Sequence, residues 1–332
     1  MLGAHRYLCS PPMEGPERVR PAEGAGPTIS VVVPAYNEER HIAEALDSVL
    51  AQTRSPLEVI VVDDGSTDGT LAVVDRYRER VRVIQQENRG CPGAFDTGFR
   101  EAQGEFVALC PADDIWDPEK LEWQQDALRE RPEVDVVFGA ARRFGLGKGD
   151  HVRPARSKVL DGPSFAREMY RRNLIPDPSA VVRRSLYLDL GGYEPLIGED
   201  YEFWMRALAA GAVFYFDPRL VVHLREHGGN LSYRALDIWE TNHLIHKRYA
   251  DLAGDSELVR RTLAHDLLMI GYCRAALGRR SEARRSFRSS LEKRFSALTL
   301  LAALLMSIPG VARAVSGVAP LVRRATTGAI TA

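Results

Sequence analysis

Two adjacent carboxylates, Asp113 and Asp114, stand in CPADDIWDP (110–118), directly after the apolar run FVAL (106–109). Acids at the end of a buried strand are costly unless a cation meets them. A second acidic pair, Asp63 and Asp64, closes LEVIVVDD (57–64) and leads into GSTD (65–68). Acids gathered at one point suit a hard divalent cation, which turns them into ligands and can screen a pyrophosphate. Taken singly, DDGS also reads as a capped turn, and Asp113–Asp114 as a solvated one. Their recurrence at the ends of adjacent apolar runs is what points to a site. The chain has neither G-x-G-x-x-G nor G-x-x-x-x-G-K-[ST], so neither a dinucleotide fingerprint nor a P-loop is present.

These acids need a sheet to position them. TISVVVPAY (28–36), LEVIVVDD (57–64), VRVIQQ (81–86) and EFVALC (105–110) read as buried strands. Between them lie helical stretches: EERHIAEALDSVLAQ (38–52) with Asn37 as its cap, GTLAVVDRYRER (69–80) with Thr67 or Asp68 near its cap, and FDTGFREAQ (95–103). This alternation implies a mostly parallel, Rossmann-like sheet flanked by helices, and ligands bind such sheets outside the carboxyl ends of the strands. A helix follows over 117–130, a strand over 134–144, helices over 164–173 and 199–211, and two short strands around a turn in AVFYFDPRLVVHLRE (212–226). From about residue 237 the pattern is helical, with a helix–turn–helix pair over 265–294 broken at Gly278.

With 332 residues, 45% hydrophobic and 27% charged, the composition is that of an ordinary globular protein. A net charge of −1 gives no reason to expect nucleic acid as a partner. Cys9, Cys91, Cys110 and Cys273 are too widely spaced for a metal knuckle and suit a reducing cytoplasm. Residues 1–27 read as a disordered tail without a secretory signal. FSALTLLAALLMSIPGVA (295–312) is uncharged, but Pro309 and Gly310 interrupt it. It reads first as packed terminal helices, and second as an in-plane membrane-surface segment that would make the protein peripheral at the inner face of the membrane. The basic residues Arg142, Arg143, Lys148, Arg153, Arg156 and Lys158 read as a solvated face or as a contact for a polyanionic or lipid-diphosphate acceptor.

VVVPAYNEE (31–39), VVDDGSTDGT (61–70), ENRGCPGAFDTGFREAQGEFVAL (87–109), ADDIWDPEKLE (112–122) and GGYEPLIGEDYEFWMRALAAG (191–211) resemble, in order, the motifs of the inverting family-two glycosyltransferases. The resemblance runs from about residue 28 to about 235 and implies the A-type glycosyltransferase (GT-A) fold. The implied organisation is a 28–235 transferase domain, with a nucleotide-sugar half over 28–114 and an acceptor half over 115–235, followed by a helical region over 236–332. The resemblance also implies a nucleotide-sugar donor, a divalent Mn2+ or Mg2+ ion, and a glycan, lipid-linked or small-molecule acceptor. By that resemblance Pro34, Ala35, Tyr36 and Glu38 border the nucleotide, Asp63 and Asp64 contact base and ribose, and Asn88, Arg89 and Gly90 approach the donor. The family's D-x-D falls on Pro111-Ala112-Asp113, so Asp113 is the metal ligand with Asp114 beside it.

Glu199 and Asp200 match the acidic pair of the later helix, and Asp200 matches the catalytic base. Burial beside Glu199 and Trp204 would raise its pKa toward a base's working range, although an acid there also favours a helix N-terminus. Arg225, His227 and Ser232 match an Arg-x-His pair before a Ser, which would make Arg225 a phosphate partner and His227 a metal or phosphate ligand; His227 also reads as a structural histidine, as His223 does. Two departures stand out: Pro111 replaces the first acid of D-x-D, and Phe95-Asp96 stands where the family often has Arg-Asn. They motivate the rival expectation of an inactive nucleotide-sugar-binding module acting as an assembly partner. A nucleotidyltransferase fits less well, because PAYNEE is acidic where such folds carry a basic glycine-rich loop. Homodimerisation through the C-terminal helices stays open.

Overall fold

The computed structural model describes residues 26–145, 158–160, 162–227 and 234–305. The first third alternates as expected: β1 (Ile29–Ala35), α1 (Ile42–Leu50), β2 (Glu58–Asp63), α2 (Thr70–Val74), β3 (Arg82–Gln85), α3 (Gly90–Glu101) and β4 (Phe106–Leu109). These four strands are parallel, in the order β3-β2-β1-β4. Successive side chains of a strand point to opposite faces. Val32 therefore joins a core with Phe95, Phe99 and Val107 under α3, while Val31 and Val33 join a second core with Ile42, Leu46 and Val49 of α1. Gly98 lets the α3 backbone lie directly on β1, since a Cβ there would sit 2.2 Å from Val32 Cγ1.

The second half continues with β5 (Ile115–Trp116), α4 (Lys120–Glu130), β6 (Val136–Gly145), β7 (Lys158–Leu160), α5 (Gly162–Arg171), β8 (Val181–Arg183), α6 (Arg184–Asp189), α7 (Glu199–Ala209) and β9 (Phe214–Glu226). Together the nine strands form one sheet in the order β3-β2-β1-β4-β8-β6-β9-β5, with β7 also paired to β9. The short β8 runs antiparallel to both β4 and β6 and so joins the two halves. Residues 212–226 are not two strands around a turn. β9 is a single thirteen-residue strand, parallel to β6, with the register slipping near Ala140. The Asp217-Pro218 turn signal is absorbed as that irregularity: the Asp217 carboxylate accepts the Arg219 N–H at 3.0 Å. Opposite it, a Cβ on Gly139 would stand 2.9 Å from Arg219 O, so the slip needs glycine on β6.

Helices α8 (Ala235–Arg248), α9 (Ser256–Ala276), α10 (Arg280–Lys293) and α11 (Ala297–Leu305) complete the described chain. Gly278, at φ +75°, breaks α9 from α10 as the sequence implies. No described helix is long and apolar enough to cross a membrane. A buried polar chain ties α8 and α9 to α7: His246 Nδ1 meets Asp266 at 2.8 Å, and its Nε2 meets the Tyr201 hydroxyl at 3.0 Å. Most of the 1–27 tail, Pro309, Gly310, Ser232, Lys148, Arg153 and Arg156 lie outside the described residues.

Candidate active site

The carboxyl ends of β1, β2 and β4 open on one side of the sheet, and three loops meet there. The loop after β1 is locked to the loop after β2. Asn37 does not cap α1; it takes φ +57° and its Oδ1 accepts the Thr67 N–H at 2.8 Å. The Glu38 N–H donates to Thr70 Oγ1 at 2.8 Å, and the Gly69 N–H to Glu39 at 2.8 Å. Helix α1 consequently starts only at Ile42, after His41. Pro34 and Ala35 are buried in the floor, whereas Tyr36 is 48% exposed above it.

Asp63 and Asp64 are each 2% exposed at the end of β2. Asp64 Oδ1 accepts Gln86 Nε2 at 2.6 Å and the Arg89 N–H at 2.9 Å, which fixes the start of α3. Asp63 Oδ1 is buried with no hydrogen-bond partner among the described residues. A buried carboxylate oxygen left so is a ready acceptor for a ligand N–H or O–H. Helix α3 begins at Gly90, earlier than expected, with Asn88 and Arg89 exposed before it. Asn88 Oδ1 accepts the Gly90 N–H at 3.2 Å. Phe95 turns into the core edge-on to Tyr193, and Asp96 pairs with Arg100 at 2.8 Å, so neither residue carries a cation to the loop.

The acidic loop after β4 is held by the end of β9. Asp114 is buried, and its Oδ1 accepts the Arg225 N–H at 2.9 Å. Burial, then the neighbouring Asp113 charge, pushes the Asp114 carboxyl well above the ordinary range, against the pull of Arg225. Arg225 is used locally: its Nε donates to Asp113 O at 2.9 Å and its Nη2 to Glu44 at 2.6 Å. It therefore shapes the acidic loop. Asp113 is half-buried and its Oδ2 meets His227 Nε2 at 3.0 Å. Sequence reasoning missed His41, whose Nδ1 meets Glu38 Oε2 at 2.8 Å and whose ring centroid lies 5.2 Å from that of His227. Potential ligand atoms of Glu38, His41 and His227 lie within 4.8 Å of one another. With Asp113 at their edge, these residues present both carboxylate oxygen and imidazole nitrogen, a donor set that fits a divalent cation. His223 lies within β9, paired with Ile115 and edge-on to Phe144, as a structural histidine would.

A second acidic group stands at the first turn of α7. Gly198 enters the helix at φ +81°, and Glu199 and Asp200 follow. Asn173 Nδ2 donates to Asp200 Oδ2 at 2.8 Å. Burial raises the Asp200 carboxyl above its ordinary value, while the helix N–H of Tyr201 and the Asn173 amide pull it back. Burial and the Asp200 charge push Glu199 up to about 7. The sequence reading also missed Asp177, in the 3-10 turn Asp177–Ser179, which accepts the Tyr193 hydroxyl at 2.9 Å. Burial, then the Asp200 charge, lifts its carboxyl well above the ordinary range. The Cys91 thiol, in the first turn of α3, is pushed up by burial and then by the charges of Glu199, Asp177, Asp113 and Asp64, so the start of α3 lies near both acidic groups. Trp204 is fully buried against Phe203 and Phe214; it backs α7 and does not line the cleft.

Lys120, at the start of α4, is fully buried. Its Nζ donates to Gln124 Oε1 at 2.6 Å and to Ser179 O at 3.3 Å, and stands 4.4 Å from the Trp116 ring centroid. It links the strand after the acidic loop to the turn that carries Asp177. Burial lowers its pKa to about 7.

A family model for glycosyl transferase family 2 matches residues 30–190. An uncharacterized glycosyltransferase of Rickettsia typhi is 27% identical over 217 residues, 64% of this chain and 68% of that protein. Chondroitin synthase of Escherichia coli is 28% identical over 65% of this chain, which spans 32% of that protein's length; for a Rickettsia felis glycosyltransferase the span is 34%. Among solved structures, S. aureus TarS superposes with a TM-score of 0.62 at 20% identity, over 87% of this chain and 88% of that one. A mannosyltransferase of Pyrobaculum calidifontis, solved with GDP-Man and Mn2+, gives 0.53 at 20% identity over 96% and 90%. These likenesses place the fold among the A-type glycosyltransferases, and residues 30–190 match glycosyl transferase family 2, which supports a glycosyltransferase.

Proposed function

We propose that this chain moves one sugar, with inversion, from a nucleotide-sugar donor to a hydroxyl of a glycan, lipid-linked or small-molecule acceptor. The observation that carries this reading is Asp200: a half-buried carboxylate at a helix N-terminus, aimed by Asn173 and raised in pKa by burial. TarS has been solved with UDP-GlcNAc and the Pyrobaculum enzyme with GDP-Man, which supports a nucleotide-sugar as the donor class here. Tyr36 is exposed for stacking on a base, and the unpartnered Asp63 Oδ1 is an acceptor for base or ribose. Asp64 acts through the Arg89 N–H, holding the Asn88–Gly90 turn toward the donor.

Asp113 and His227 would hold a divalent ion, Mn2+ or Mg2+, with Asp114 and Arg225 fixing the loop around it. Such an ion supplies charge stabilisation at the leaving diphosphate. On the other side of the cleft, Asp200 takes the acceptor's proton at a carboxylate oxygen. Burial raises the Asp200 carboxyl, which strengthens it as a base. Asp200→Asn should retain donor binding by calorimetry and lose roughly 10²–10⁴-fold in turnover. Wild-type turnover in that variant would sink the assignment of the base. The exposed Leu300, Leu301 and Leu304 of α11 support a peripheral membrane contact, which co-sedimentation with anionic vesicles tests.

A further inference from the structure

Asp200 is oriented from two sides, and both sides lead to one histidine of α8. The first side is its own helix. Tyr201 follows Asp200 in the first turn of α7 and is buried, while Asp200 stays half-buried. The Tyr201 hydroxyl donates to Met169 O of α5 at 2.7 Å and meets His246 Nε2 at 3.0 Å. The second side is Asn173, whose amide donates to Asp200 and whose Oδ1 accepts the Ile175 N–H at 3.1 Å. Asn173 stands two residues beyond α5. In the last turn of that helix the Tyr170 hydroxyl donates to His246 O at 2.7 Å. The ring of His246 thus meets α7, and its carbonyl meets α5.

A tyrosine hydroxyl has one proton, and a carbonyl oxygen only accepts. The Tyr201 proton therefore goes to Met169 O, and the hydroxyl oxygen accepts Nε2–H from His246. The other ring nitrogen, Nδ1, donates to Asp266 Oδ2 of α9 at 2.8 Å. His246 and Asp266 are both buried, so the imidazole is held from both ends away from water. Burial works against the Asp266 charge, yet His246 and His243 keep its carboxyl below the ordinary value. Apolar side chains would pack α8 against α7 without the desolvation that these polar groups incur. What the polar chain adds is direction, because a fully satisfied buried network specifies one arrangement. We propose that His246, held by Asp266, is a positioning residue for sugar transfer: through Tyr201 and Tyr170 it sets where α7 and Asn173 hold the Asp200 carboxylate. The proposal rests on the reading of Asp200 as the base. It makes α8 and α9 part of the machinery, although both lie beyond the family match at residues 30–190.

The test uses the full chain and three variants. Tyr201→Phe removes only the hydroxyl, His246→Leu removes both ring donors, and His246→Gln can still present an N–H to Tyr201. Thermal melts verify folding, and Tyr201→Phe carries the test if His246→Leu does not fold. The first readout needs no substrate: deuterium exchange over residues 199–205 should quicken about tenfold in Tyr201→Phe and His246→Leu, with β1 to β4 unchanged. The second is release of UDP from UDP-GlcNAc or of GDP from GDP-Man with Mn2+, water serving as acceptor. There kcat should fall about 10–100-fold while donor affinity by calorimetry stays within about twofold, and His246→Gln should recover part of the loss. In an Asp200→Asn background Tyr201→Phe should cost nothing further, because the hydroxyl acts only through Asp200. A merely structural role would cost the same factor in both backgrounds. Unchanged exchange over residues 199–205 overturns the proposal, as does an equal loss in both backgrounds. Wild-type kcat in Tyr201→Phe beside a deep loss in Asp200→Asn overturns it and leaves the base reading standing. If exchange quickens but Asp200→Asn turns over like wild type, the anchoring by His246 stands and the assigned base fails.

Discussion

Lys120→Met should change how stability depends on pH. The ammonium is fully buried, and its folded pKa is about 7 against an ordinary 10.5. Between those values the unfolded chain binds the proton and the folded chain releases it, so folding becomes more favourable as pH rises through this window. Below about 7 both states carry the charge and the folded state bears the full penalty of burying it. That shift corresponds to an order of 4–5 kcal/mol at about 1.4 kcal/mol per unit. The Gln124 and Ser179 acceptors and the Trp116 face offset only part of it. Methionine has similar length and no charge, so in the variant this slope disappears. The measurement is urea unfolding of both proteins at pH 7.5, 8.5 and 9.5. Other groups titrate in this range, among them Cys91 and the buried tyrosines, but they are common to both proteins and cancel in the difference. Any stability advantage of the variant should therefore shrink by roughly 1.4 kcal/mol per pH unit, about 2.5 kcal/mol across the series. Parallel pH curves would refute the reasoning, because they would mean that Lys120 stays charged in the fold.

Thorough chelation should stop transfer, and Mn2+ or Mg2+ should restore it; full turnover in stripped enzyme removes the metal from the reaction. Asp177→Asn should leave turnover within about threefold, because burial and the Asp200 charge already disfavour the charged form of the native carboxyl and the amide oxygen can still accept the Tyr193 hydroxyl. A loss as deep as that of Asp200→Asn would reverse the roles of the two acids. Gly98→Ala should destabilise the fold near the upper end of the roughly 1–3 kcal/mol typical of overpacking, read by denaturant unfolding, since its Cβ would stand 2.2 Å from Val32 Cγ1.

The parallel half of the sheet was legible because each strand there is a continuous apolar run bounded by turn residues, and its pairing follows from chain order. The second half was not. β5 and β8 have two and three residues, too few to show any period, and β8 is defined by partners on β4 and β6 that lie far off in sequence. The Asp217-Pro218 signal is a genuine turn signal, but β6 runs past it and turns it into an irregularity within one strand. Within the site, strand-end acids were visible as exceptions to an apolar pattern. His41 was not, since a histidine three residues after a glutamate on a helical stretch carries no mark of its own. Asp177 was hidden in a proline-flanked turn, where an acid is ordinary. Asn37 was assigned to the nearer helix, whereas its left-handed backbone turns its side chain to the loop after β2.

The proline at 111 looked like the weak point of the acidic motif, and the structure alters what its presence means. Pro111 O accepts the Asp114 N–H at 3.1 Å, so the position serves the turn through its backbone, for which proline's restricted φ is suited. Asp114 is buried and committed to the Arg225 N–H. That leaves Asp113 as the one carboxylate of the loop facing outward to a partner, and a cation needs more than one ligand to bind well. The remainder must come from other elements. β9 runs for thirteen residues beside β6 and ends against this loop, with Arg225 Nε on Asp113 O and His227 Nε2 on Asp113 Oδ2. The strand that fixes the loop thus also delivers the histidine. In a motif with two acids the loop would be largely sufficient by itself. If the ion proposed for this loop binds there, the missing first acid leaves His227 as the partner of Asp113, and metal affinity should depend on His227 as strongly as on Asp113.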